Sequence, residues 1–387
     1  MDQIKVLQFT IGGPEFTGIA SFLNQYYRYM DKDRVHCDFV FGRQNSMKLV
    51  ADNAWFEGSK MMELKACGKG NRVSLPKLKK GLTKVLTEGD YDVFHINTHR
   101  VGITVLCAAV ARKCGVKTVI SHSHNVRFSS GGRSKKRILA NCAKAVCAGY
   151  IRKHCDHLFA CSESAGVALF GKKGVAQSNF KVIKNAVDSA SYVYDAGTRE
   201  KVRRELHTEP DTFVIGQVGR LTTAKNQSFS LQVLAELGKK KQNVELWLVG
   251  DGKELSALKE KAAELSVGER VRFLGQRTDV KQLLSGMDAF IFPSVYEGLG
   301  IVAIEAQAAG LPVYASDAVP EETRITDLIS YRKLSDGAAA WAEAICRDDG
   351  TYERRNTQEE VIKSGYDIVQ AAKALEEFYV TNGKGNQ

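Results

Sequence analysis

Glu297 and Glu305 are the residues whose type and spacing promise most chemistry. The segment Asp288–Phe292 reads as a strand ending at Pro293, and a loop carries Glu297 onward to Gly298, Leu299 and Gly300. A helix is predicted over Gly300–Ala309, stopped by Gly310. That helix is apolar nearly all round, so Glu305 is not expected on a solvated face. A carboxylate inside needs a hydrogen-bonding partner, because an unpaired buried charge is costly. The backbone amides of Leu299, Gly300 and Ile301 form an anion seat where the helix begins. A carboxylate beside a phosphate seat suits a ligand with both sugar hydroxyls and phosphates, such as a nucleotide-sugar. Taken alone, two glutamates eight apart favour the plainer reading of a structural helix residue and an ordinary loop charge. The rest of the chain decides between the two.

A second cluster follows the predicted strand Phe213–Val218, in the run Gly219-Arg220-Leu221-Thr222-Thr223-Ala224-Lys225-Asn226. Arg220 and Lys225 flank a turn that opens a helix, so two cations and helix amides converge. Arginine forks onto phosphate oxygens and lysine acts as a point charge, which suits a diphosphate. The turn Gly250-Asp251-Gly252 follows strand Glu245–Val249, and Gly275, Gln276 and Arg277 follow Val271–Leu274, where backbone groups could meet a base. Earlier in the chain, Gly12, Gly13 and Gly18 form a glycine-rich turn after the first strand, without the dinucleotide G-x-G-x-x-G spacing. His122 and His124, in Ser121-His122-Ser123-His124-Asn125, follow another strand and read as catalytic, metal-ligating or structural, their place at a strand's carboxyl end favouring function; His95 and His99 are weaker candidates.

These residues need elements to place them. In the first half, strands are predicted at Ile4–Phe9, Cys37–Phe41, Val93–Asn97, Val116–Ser121, His157–Cys161 and Phe180–Ile183, with helices between. The second half repeats the pattern with strands Phe213–Val218, Glu245–Val249, Val271–Leu274, Ala289–Phe292 and Val313–Ala315. Alternation of this kind implies α/β architecture, with parallel sheets covered on both faces. Two such sheets make two Rossmann-like, doubly wound domains, 1–188 and 189–364. A last amphipathic helix, within 365–382, needs a surface to pack on. Ligands of doubly wound sheets bind beyond the carboxyl ends of the strands, which is where every candidate above lies.

Composition narrows the partners. The chain has 387 residues, 44% of them hydrophobic, and a net charge of +11, pointing to an anionic partner. Its cysteine count of nine, with no secretory leader read before Ile4–Phe9, fits a reduced, cytoplasmic setting. Between Arg127 and Lys153 the sequence carries basic residues and no acidic one, a stretch suited to an anionic membrane surface. Cys142, Cys147, His154, Cys155, His157 and Cys161 lack paired metal-ligand spacing, so no metal is expected.

Taken together, these motifs make the chain resemble the family 4 glycosyltransferases, retaining enzymes of the two-domain GT-B fold. Glu297 and Glu305 match the family's E-x7-E pair, and Gly219, Arg220, Lys225 and Asn226 match its diphosphate-holding element. Leu248 to Gly252 look like its V-G-D-G turn. The resemblance implies two domains facing a central cleft, with the last helix crossing back to complete the first. It implies that Glu305 binds the donor ribose, Glu297 lies near the transferred sugar, and His124, or next to it His122, serves the first domain. It further implies a UDP-sugar donor, with GDP the alternative, and no metal cofactor. The acceptor would be a glycan or lipid-pyrophosphate-linked glycan in capsule or exopolysaccharide assembly, at the inner face of the plasma membrane. The linker Lys184-Asn185-Ala186-Val187-Asp188 departs from the family's P-N-G-V-D. Rival readings are a nucleotide-sugar epimerase or hydrolase, a nucleic-acid binder, and an idle assembly subunit. No basic–aromatic interleaving supports nucleic acid.

Overall fold

The computed structural model describes residues 3–12, 18–42, 58–66, 73–124, 135–348 and 352–384. Gly13 and Arg127 to Ser134 lie outside them. The chain divides into two compact units, Met1–Ala186 with Ile368–Gln387, and Val187–Asp367.

The first unit is built on seven strands: β1 Ile4–Thr10, β2 Val35–Phe41, β3 Met61–Glu63, β4 Val93–Asn97, β5 Thr118–Ser123, β6 His157–Ala160 and β7 Phe180–Val182. Their order is β3-β2-β1-β4-β5-β6-β7, every pairing parallel. The second unit has six: β8 Phe213–Val218, β9 Val244–Val249, β10 Val271–Gly275, β11 Ala289–Phe292, β12 Val313–Ser316 and β13 Ile329–Arg332. Their order is β10-β9-β8-β11-β12-β13, again all parallel. Both sheets are α/β, doubly wound, Rossmann-like layers. In each, strand order reverses once, at β1/β4 and at β8/β11. Such a switch point leaves a crevice at the strands' carboxyl ends.

Parallel strands are buried on both faces and read as continuous apolar runs. In β9, Leu246 and Leu248 feed one core layer while Trp247 and Val249 feed the other. On the first sheet, one layer packs around Leu78, Leu82 and Cys107. The other packs Phe22 and Tyr26 of helix Gly18–Arg28 together with Ile368, Leu375 and Tyr379 of helix Ile368–Asn382. Several strands break the apolar rule, among them β4, which buries His95 and Asn97, and β5, which buries Ser121, His122 and Ser123.

Several expectations are corrected. The strand predicted at Val116–Ser121 runs over Thr118–Ser123, so His122 is a strand residue, fully buried, and not part of an open loop. Short edge strands β3 and β13 and the helix Ala196–Glu205 escape pattern reading, the helix because its mostly charged sequence gives no apolar stripe. Among the described residues no helix is long and apolar enough to cross a membrane.

Candidate active site

In the second unit the loops after β8, β9, β10 and β11 are laced together by main-chain bonds. Gly219 donates to Val249 O (2.9 Å), Leu221 to Asp251 O (3.0 Å), and Gly250 to Gly275 O (2.7 Å). Gly250 has φ +135°, and a Cβ there would lie 2.1 Å from the carbonyl oxygen of Gly219. Only glycine lets the two turns touch. Across the switch point, Val295 N donates to Ala224 O at 2.8 Å, fixing the loop after β11 against the one after β8. Gln217, inside β8, holds Lys225 O through Nε2 (2.8 Å) and accepts from Ser230 Oγ (2.7 Å).

That scaffold brings Lys225 Nζ to 2.5 Å from Glu297 Oε2, both side chains mostly covered. The ammonium also lies 4.9 Å from the Phe292 ring centroid. Asn226 opens the following helix in the left-handed conformation, φ 55°. Gly300, φ +83°, begins the helix Ile301–Ala308; lacking a side chain, it leaves the first-turn amides uncapped. Leu299 beneath it is buried. These are the parts of an anion seat: uncapped helix amides beside a lysine. Arg220 is exposed on the same turn as Lys225, and among the described residues it makes no ion pair. Gln276 is exposed, while Arg277 is held bidentate by Asp279 (2.8 and 2.6 Å) and by Glu205 (3.0 Å). What Arg277 can offer a ligand is therefore its backbone.

Glu305 sits on that helix, partly buried. Burial pushes its carboxyl pKa up, and a hydrogen bond from Tyr192 and the nearby Lys281 ammonium oppose the shift. Tyr192 itself is buried, its pKa driven well above the usual phenol value by burial and by the Glu305 charge. Lys281 Nζ lies 3.5 Å from Asp188 Oδ2 and bonds Ser191 Oγ. Sequence reading missed Tyr192 and Lys281. Tyr192 sits where apolar periodicity lapses, so nothing in the pattern marked it.

In the first unit, His124 Nε2 lies 2.9 Å from Asn97 Oδ1, and His95 joins Tyr379 and His122. Phe22 packs edge-on against both His122 and His124. Gly12 follows β1 as a bend, and Gly18 starts the helix over these rings. Of the basic stretch, Lys144 and Lys153 are exposed, whereas Arg152 is spent on the Phe170 carbonyl (2.7 Å). Val146 is 74% exposed. A cavity of roughly 480 Å³ opens at the opposite, amino end of the second sheet, beside Arg199, Asp288 and Arg354. Their charged groups are paired or bonded to helix-end carbonyls, so it forms no part of this site.

The model of the Glycosyltransferase Family 4 matches residues 17–191, and that of the Glycosyl transferases group 1 matches residues 198–328. The chain is 28% identical to the Bacillus subtilis protein EpsF, a glycosyltransferase by name, over 97% of this chain and 96% of that one. It is 27% identical to an Escherichia coli UDP-Gal:alpha-D-GlcNAc-diphosphoundecaprenol alpha-1,3-galactosyltransferase, over 61% of this chain and 60% of that one. Among solved structures, Anabaena HepE in complex with UDP and glucose superposes with a TM-score of 0.73 at 21% identity, over 98% of this chain and 100% of that one.

Proposed function

The chain belongs to the family 4 glycosyltransferases, on a GT-B pair of sheets, and from that premise we propose a retaining transfer from a UDP-sugar to a lipid-pyrophosphate-linked glycan. The observation that carries this reading is the Lys225–Glu297 pair at the β8/β11 switch point, beside the uncapped amides of helix Ile301–Ala308. In the reaction the bond from the anomeric carbon to the diphosphate oxygen breaks as the acceptor hydroxyl oxygen bonds to that carbon, and the hydroxyl proton passes to the departing diphosphate. Negative charge grows on the leaving diphosphate. Lys225, Arg220 and the amides of Gly300 and Ile301 stabilise it there, an electrostatic contribution prepared before the reaction begins. These cations serve without a metal. Glu305, steadied by Tyr192, accepts hydrogen bonds from the ribose hydroxyls, and Glu297 faces the transferred sugar.

Polysaccharide assembly is the setting we propose. Near-full-length likeness to EpsF supports it, as does the E. coli relative whose name places its acceptor on a diphosphoundecaprenol. A lipid-borne acceptor brings the enzyme to an anionic surface, where exposed Val146 and Lys144 on helix Lys135–His154 are suited to bind. The double variant Lys144→Glu/Val146→Glu is expected to reduce sedimentation with phosphatidylglycerol vesicles several-fold. Unchanged sedimentation would refute this surface.

The donor reading is tested by calorimetric titration with UDP, GDP and ADP in the absence of metal. UDP is expected to bind best. Glu305→Ala removes a charged acceptor for the ribose and is expected to weaken UDP about 10- to 100-fold, the range of a charged hydrogen bond of ~1.5–3 kcal/mol. No nucleotide binding at all would remove the donor site.

A further inference from the structure

Buried polar side chains on β1, β4 and β5 form one connected network, and its proton directions can be worked out. Asn97 Nδ2 approaches the main-chain oxygen of His95 at 3.3 Å. A carbonyl only accepts, so this contact fixes which end of the Asn97 amide is nitrogen. The same nitrogen then donates to Gln8 Oε1 at 2.9 Å, leaving Gln8 Nε2 to donate to the Tyr379 hydroxyl oxygen at 3.0 Å. The hydroxyl proton of Tyr379 must point to its remaining partner, His95 Nδ1, at 2.6 Å.

Burial holds all three histidines neutral. It lowers His95 and His124 to about 3 and His122 well below its usual value. A neutral ring carries one proton. His95, accepting at Nδ1, keeps its proton on Nε2 and gives it to His122 Nδ1 at 3.2 Å. His122 therefore holds its own proton on Nε2. On the other branch, Asn97 Oδ1 accepts from His124 Nε2 at 2.9 Å, so the His124 lone pair lies on Nδ1. Both end atoms, His122 Nε2 and His124 Nδ1, are buried and have no partner among the described residues. Their rings stand 3.9 Å apart, centroid to centroid. Buried groups left in this state mark a place where something else supplies the bond.

We propose that Gln8, Asn97 and Tyr379 are positioning residues that set the proton polarity of the histidine pair, so that His122 presents a donor and His124 an acceptor. Tyr379 belongs to helix Ile368–Asn382, so the end of the chain writes the tautomer of a residue on β5. A hydroxyl, which accepts and donates, complements such a pair. An anion meets the lone pair of His124 and is disfavoured. The use of that hydroxyl specificity for a sugar rests on the transferase reading above; the polarity itself does not.

The test is the imidazole nitrogen–proton correlation spectrum of the full chain with 15N-labelled histidine, without any substrate. In the unmodified protein His122 and His124 are both expected as Nε2–H tautomers. Tyr379→Phe removes the proton given to His95, so His95 and His122 are expected to shift toward Nδ1–H while His124 stays unchanged. His122→Gln and His124→Gln assign the resonances. An Nδ1–H form of either ring in the unmodified protein overturns the proposal, as does a His122 tautomer indifferent to Tyr379→Phe. Neither result bears on whether the chain transfers a sugar, which nucleotide titration decides separately.

Discussion

Lys225→Ala is expected to weaken UDP binding about a hundredfold and to lower kcat/KM by roughly 10²–10³, the loss seen when one preorganised charge-stabilising group is removed. Lys225 Nζ is mostly covered and anchored between Glu297 and the Phe292 ring, so it meets a diphosphate with little reorganisation. Its backbone is held by Gln217, and the fold should survive its truncation. Glu297→Gln separates binding from turnover. Without ligand the Glu297 carboxylate competes for the ammonium at 2.5 Å. Relieving that competition is expected to leave UDP affinity equal or higher while turnover falls. Calorimetry with UDP and a steady-state assay read the two effects. Normal UDP binding by Lys225→Ala would remove the diphosphate assignment.

The largest loss of stability is expected from Asp288→Ala. Asp288 stands at the start of β11, where its carboxylate takes Arg199 Nη2 at 2.7 Å, Arg203 Nη2 at 2.6 Å and the Val214 amide at 2.8 Å. The Arg203 side chain is only 5% exposed, and burial lowers its pKa despite the Asp288 charge. Removing the carboxylate leaves both guanidinium groups without a counter-charge, held only by main-chain carbonyls, and takes the acceptor from one strand amide. Breaking a pair of this kind costs about 3–5 kcal/mol. Denaturant unfolding, followed by Trp247 and Trp341 fluorescence from the second unit's core, should show that unit melting earlier. Asp288→Asn retains an acceptor and should lose less. A midpoint for Asp288→Ala equal to the unmodified chain's would show that the charges are solvated.

Much of the candidate site was legible because it is local. Glu297, the glycines around Leu299 and the helix carrying Glu305 lie within one strand–loop–helix run. Lys225 and Arg220 lie within another. Strand ends in a doubly wound sheet were readable from apolar runs and glycine punctuation, and that was enough to place both clusters at carboxyl ends. Reading failed where apolar periodicity carries no message. Tyr192, the partner of Glu305, sits in a stretch with none. The charged helix Ala196–Glu205, which supplies Arg199 and Arg203 to Asp288, has no stripe to reveal it. His122 looked like a loop residue because polar side chains inside a parallel strand defy the usual pattern.

The sequence by itself determined the alternation of strands and helices, the fold class and the clustering of glutamates, cations and glycines in the candidate site, since each depends on residues near one another in the chain. Tertiary structure alone decided which partner each takes. Lys225 meets Glu297 only because β8 and β11, far apart in sequence, are neighbours at the switch point. His95 Nδ1 meets the Tyr379 hydroxyl across 284 positions of chain. Hydrogen bonds and ion pairs act over about 3 Å. Apolar periodicity reports which face of an element is buried, and packing alone brings a particular donor within reach of its acceptor.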